Sequence, residues 1–121
     1  MSQDPIVLKR DQQAFNQCLI ESALEYVNGL RKRMHLKPLT RLSKGFRLRA
    51  DSCPIALSIA GDDPQKKVSH VRVSQGSITV HYKGLFGKPH TICQTEIPYC
   101  VKRFIEEFDA GNIPEFWLYP S

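Results

Sequence analysis

Phe15, Leu19, Ala23, Tyr26, Val27, Leu30 and Met34 recur at steps of three and four along the first third of the chain, with Ser22 in the same stripe. Side chains so spaced share one face of an α-helix, and Glu21 and Glu25 fall away from its centre. The spacing predicts a long helix over residues 11–36. Gly29 interrupts it at a cost of about 1 kcal/mol relative to alanine. Pro38 closes it, because the proline ring disfavours helical backbone at the residue before it. In Gly45-Phe46-Arg47-Leu48-Arg49-Ala50 the pattern turns to alternation, the period of a half-buried strand. Asp51-Ser52-Cys53-Pro54 then carries helix-start chemistry: a capping side chain, and a proline in the first turn where no donor is required. A short helix over 53–60 follows, ending at Gly61, and Asp62-Asp63-Pro64 is a turn.

Two further alternating runs make a β-hairpin over 68–83, with Gln75-Gly76 as its turn. Val71, Val73, Ile78, Val80 and Tyr82 point one way, and His70, Arg72, Thr79, His81 and Lys83 the other. A third short strand over 90–94 follows the Gly84-Leu85-Phe86-Gly87 loop. Thr95 is the expected cap of a helix over 97–109, whose Val101, Phe104, Ile105 and Phe108 share a face and which Gly111-Asn112 ends. The tail, 113–121, holds Phe116, Trp117, Leu118 and Tyr119, and is expected to dock on the core or on a partner. These elements predict one α+β domain over 1–121: a long N-terminal helix, a short middle helix, a small antiparallel sheet with a hairpin, and a C-terminal helix. No internal repeat or interdomain linker breaks the chain.

Composition narrows the setting. At 121 residues, 41% hydrophobic and 24% charged, the chain has the make-up of an ordinary globular domain. No apolar run nears the roughly 18 residues of a membrane span, and Met1 to Pro5 lacks the basic and apolar regions of a secretory signal. A cytoplasmic protein with no membrane partner is the expectation.

Charge adds a direction. Seventeen Lys and Arg against twelve Asp and Glu give net +5. Eight of the seventeen lie between residues 31 and 49, where no acid intervenes; the nine that remain against twelve acids leave the rest of the chain at −3. A basic connection over 37–50 thus extends the end of the first helix. If the 45–50 strand joined the hairpin, Arg47, Arg49, His70, Arg72, His81 and Lys83 would share the open face of the sheet. Clustered cations are what phosphate binding needs, since each one placed against a phosphate releases condensed counterions. The plainer explanations are a solvated helix end favoured by the helix dipole and edge lysines that discourage aggregation. The function expected is binding of nucleic acid, DNA in preference to RNA, through Arg31, Lys32, Arg33, Lys37, Arg41, Lys44, Arg47, Arg49, Arg72 and Lys83. The element order is that of a winged-helix variant lacking a clear recognition helix. The alternative is a protein–protein module that binds and modulates an acidic host protein through the aromatic tail and basic band, or forms a homodimer through the first helix or the tail.

Asp51-Ser52-Cys53-Pro54-Ile55-Ala56-Leu57, the valine-rich hairpin, and Val101-x-x-Phe104-Ile105-x-x-Phe108-Asp109-Ala110-Gly111-x-x-Pro114 resemble a pattern in small uncharacterised proteins of actinobacteria and their bacteriophages. The resemblance covers residues 45–116 and implies a phage-encoded protein acting in a bacterial host; it carries over no activity and no site residue.

Candidate chemistry changes little. His81, His90, Cys93 and Cys100 offer zinc-ligand atoms, and His90-x-x-Cys93 has ligand-like spacing, but zinc ribbons normally supply two such pairs and here there is one. Cys53 at a helix start would have its thiol pKa lowered by the helix N-terminus, yet no base is placed beside it by the sequence. Lys83-Gly84-Leu85-Phe86-Gly87-Lys88 lacks the Gly-Lys-Ser/Thr ending of a phosphate-binding loop, though its tip can approach a nucleic-acid backbone. No enzyme activity, metal or cofactor is assigned.

Overall fold

The stripe of the first segment winds into α1, Pro5–Arg33, in a computed structural model that describes residues 5–118 apart from 62, 64 and 75, with the backbone alone for 5–10. Leu19, Ala23, Val27 and Leu30 are buried along one face of α1, and Met34 is buried just beyond its end. Phe15, expected in the same stripe, is instead 39% exposed, and the Arg103 guanidinium lies 6.0 Å from its ring centre. The next residue, Asn16, takes the inward position instead, donating from Nδ2 to the Asn112 carbonyl at 3.0 Å. The helix stops at Arg33 rather than 36 because His35 turns left-handed, at φ 59°. The His35 amide donates to the Lys32 carbonyl and the Leu36 amide to that of Arg31, a pair of bonds that satisfies helix-end carbonyls.

The connection does not form the strand its alternation predicts. Gly45 makes only an isolated parallel bridge to Trp117. Its Cα is pressed against the next turn of chain, where a Cβ would come within 2.5 Å of the Pro54 nitrogen. The Phe46 amide donates to the Ser52 carbonyl, so 46–52 closes on itself as a loop. Leu48, on the apolar side of that alternation, sits at φ 60° and is 78% exposed.

α2, Pro54–Ala60, matches the predicted 53–60 except that Cys53 is its cap and not its first residue. The Ala56 amide donates to Cys53 Sγ at 3.4 Å, and Gly61 ends the helix at φ 58°. β1, Val68–Ser74, and β2, Ser77–Lys83, form the expected hairpin; Asp62 and Pro64 of the predicted turn, and Gln75, lie outside the described residues. β3, Pro89–Gln94, completes an antiparallel sheet in the order β1-β2-β3. Register pairs Val71 with Val80 and Val80 with Ile92, so the buried residues meet across the strands. α3, Tyr99–Asp109, starts later than predicted, and Thr95 is not its cap. Pro98 holds Ile97 out of helical backbone, so the helix begins after the proline.

Phe104 and Phe108 of α3, Ile55 and Ile59 of α2, and the inward residues of the sheet make one core with α1. The tail docks on it. Phe116 is buried, the Gly45 amide donates to the Phe116 carbonyl, and the Leu118 amide donates back to that of Gly45. Tyr119 lies outside the described residues.

Candidate nucleic-acid interface

The predicted basic band is not one surface. Arg31, expected against phosphate, is only 3% exposed. Its Nε donates to the Lys37 carbonyl at 2.8 Å and its Nη1 to the Ile59 carbonyl at 3.0 Å, tying α1 to the end of α2 and to the connection. Its pKa is pushed below the usual value by burial and partly restored by the charge of Asp63. Arg47 is half-buried: Nε and Nη2 both donate to the Asp109 carbonyl at the end of α3, and the guanidinium lies 5.1 Å from the Trp117 ring centre. Arg49 stacks over Phe46 and lines a cleft that also holds Glu106 and Asp109. Both arginines were expected on the open sheet face, and the missing strand removes them from it. Lys32, Arg33, Lys37, Arg41 and Lys44 are exposed.

Arg33 and Arg49 also mark opposite ends of the sheet. Arg33 shares a cleft with Lys67 and Lys83, where β1 begins and β2 ends. Arg49 shares one with Val73 and Ser74, where β1 finishes. Seven residues of strand separate these ends by about 20 Å.

The Arg33 cleft has the character the band was expected to have. The end of α1 brings Arg33 and His35, β1 is preceded by Lys67, β2 ends in Lys83, and the β2–β3 loop adds Lys88. Among the described residues no carboxylate lines this opening of about 610 Å³. The nearby Asp63 carboxylate accepts hydrogen bonds from the backbone amides of Gln65 and Lys67. Tyr82 and His90 stack inside the cleft with ring centres 5.4 Å apart. Gly84 fits under His90, since a Cβ there would meet the imidazole at 2.5 Å.

Behind the cleft, His70, Arg72, His81, Thr91 and Cys93 are exposed on the outer face of the sheet, as the alternation predicts for the hairpin positions. His81 and Thr91 are joined across β2 and β3 by a 3.0 Å hydrogen bond between imidazole Nδ1 and hydroxyl. The sequence carries the sign of this half of the molecule, though the dense run at 31–49 obscures it. No Asp or Glu occurs between Asp63 and Glu96, while Lys66, Lys67, Arg72, Lys83, Lys88 and three of the four histidines do.

The thiol and metal candidates dissolve for physical reasons. His90 and Cys93 are three apart on a strand, which sends their side chains to opposite faces. Among the described residues no three His, Cys, Asp or Glu side chains gather where they could hold a metal. Cys53 is buried, and burial pushes its thiol pKa up more than hydrogen bonds from the Ala56 and Ile55 amides lower it.

No protein-family model matches the chain, and neither the curated proteins nor the solved structures hold one that is detectably similar to it.

Proposed function

We propose that the protein binds nucleic acid, DNA in preference to RNA, by holding the phosphate backbone in the cleft between the end of α1 and the β2–β3 loop. One observation carries this reading: Arg33, Lys67, Lys83 and Lys88, drawn from separate parts of the chain, converge on one concavity that no carboxylate lines among the described residues. Cations that serve only solubility have no reason to converge, and each one set against a phosphate adds counterion release to the affinity. Arg72 extends the same sign of potential across the outer face of the sheet. Lys32, Lys37, Arg41 and Lys44 are exposed outside the cleft and add to the net positive charge that attracts an anionic polymer. In the setting that the resemblance implies, the chain is a phage-encoded protein at work in bacterial cytoplasm.

Amine footprinting tests the assignment. Acetylation of the protein with and without DNA at low salt is expected to show protection at Lys67, Lys83 and Lys88. Protection confined to Lys37 and Lys44, in the connection, would contradict it.

The protein-partner reading attaches elsewhere. Leu48, held exposed in left-handed backbone, rims the other cleft beside Arg49, Lys102, Glu106 and Asp109. An exposed apolar side chain ringed by both signs of charge is the anatomy of a small protein contact. Loss of a co-purifying host protein on Leu48→Ser, with footprints at the α1 cleft unchanged, would favour this second surface.

A further inference from the structure

We propose that the strand held in the cleft is single, and that Phe86 at its rim is a stacking platform for an unpaired base; this deepens the nucleic-acid reading and rests on it. Phe86 is 100% exposed and its neighbour Leu85 76% exposed, at the tip of the loop between β2 and β3. Water is a poor environment for such a pair, and the loop does nothing to fold them inward. Phe86 is instead held in left-handed backbone, φ 59° and ψ 23°, which a bulky side chain adopts only when its surroundings impose it. Those surroundings are short and firm. The Gly84 amide donates to the Lys88 carbonyl at 2.7 Å, the Gly87 amide donates back to Gly84, and Gly87 takes φ 72°. The loop backbone therefore fixes the point from which the ring projects.

What it is presented to follows from its neighbours. Lys83 and Lys88 flank the tip, and Arg33 and Lys67 sit with them in the cleft. A backbone drawn into that concavity turns its bases outward, towards the rim where the Phe86 ring stands. The Tyr82–His90 stack continues the aromatic surface inward. Positive groove plus aromatic faces is the combination that captures single strands, because every base has a π-face and stacking tolerates any sequence. In a duplex those faces are already covered by neighbouring bases. An anionic lipid surface would meet the Leu85–Phe86 tip, but a flat headgroup plane cannot follow the cations into a concavity.

The test uses the full chain and a fluorescein-labelled oligothymidine of about 12 nucleotides, within the usual span of one small single-strand site. Its competitors are a duplex of equal length and vesicles of phosphatidylserine and phosphatidylcholine. Phe86→Ala is expected to weaken oligothymidine binding about 5- to 160-fold, the range for loss of one base–aromatic stack. Phe86→Trp, which keeps a π-face, is expected to restore it. The ring is fully exposed, so thermal unfolding of both variants should match the parent. Equal affinity of parent and Phe86→Ala, with loss of binding in Lys83→Glu/Lys88→Glu, would overturn the stacking platform and leave the phosphate cleft standing. Tighter binding to duplex would overturn the single-strand assignment. Vesicle binding that depends on Phe86, with no oligothymidine binding at low salt, would overturn both the inference and the reading beneath it.

Discussion

Arg31 is solvated by carbonyls rather than paired with a carboxylate: Lys37 at one end of its fork, Ser58 and Ile59 at the other. The carbonyls that end α2 carry the negative pole of that helix, which suits a cation. Gly61 lies against the same guanidinium, which leaves no room there for a Cβ. Arg31→Met should therefore lower stability by about 3 kcal/mol in urea unfolding, from charge-assisted bonds lost and buried carbonyls left unsatisfied. Unchanged stability would show that the guanidinium is dispensable to the fold. Cys53 gives a second expectation at this scale. Burial raises its thiol pKa, so at pH 8 it is held as the neutral thiol, the poorer nucleophile, while Cys18 and Cys93 are exposed. Disulfide exchange with an aromatic disulfide reagent should label Cys18 and Cys93 at once and Cys53 only as the protein unfolds. Rapid labelling of Cys53 in the native protein would contradict its place in the core.

Among the elements, those with a sustained period were legible in the sequence. The hairpin and α2 lie where alternation and capping residues place them, and α3 buries Val101, Phe104 and Phe108 as expected. Element ends were less legible, because single residues decide them. His35 in left-handed backbone stops α1, and Pro98 delays α3. The 45–50 segment is a loop despite its alternation, because six alternating residues say nothing of what lies beside them. Gly45 is there for close approach to the Ser52–Pro54 backbone, and a chain so pressed turns back instead of extending. Gly29, by contrast, serves no approach: nothing lies within 4 Å of a Cβ built on it, on the exposed side of α1. Gly29→Ala should raise stability by about 1 kcal/mol, read as a higher melting temperature. No increase would mean that α1 is already unwound locally at that point.

Over the whole molecule, charge density along the chain proved a poor guide to charge density in space. Residues 31–49 look like one basic band in sequence. Folding draws Arg31 inside, sets Arg47 on the carbonyl that ends α3, and leaves Arg33 and Arg49 in clefts at opposite ends of the sheet. The site that forms instead gathers Arg33 with lysines from the acid-free interval 64–95, a legible signal because an absence of acids survives any folding of that interval. Its convergence on the end of α1 was not legible, since that depends on how α1 lies against the sheet. The most direct measurement is the slope of log affinity for single-stranded DNA against log salt. Four cleft cations, Arg33, Lys67, Lys83 and Lys88, set against phosphates predict a slope of about −3. Lys83→Glu/Lys88→Glu should flatten it to about −1.5, while Arg49→Glu, at the far end of the sheet, leaves it unchanged. No affinity at 50 mM salt, or a slope that responds to Arg49→Glu and not to the cleft lysines, would contradict nucleic-acid binding at this site.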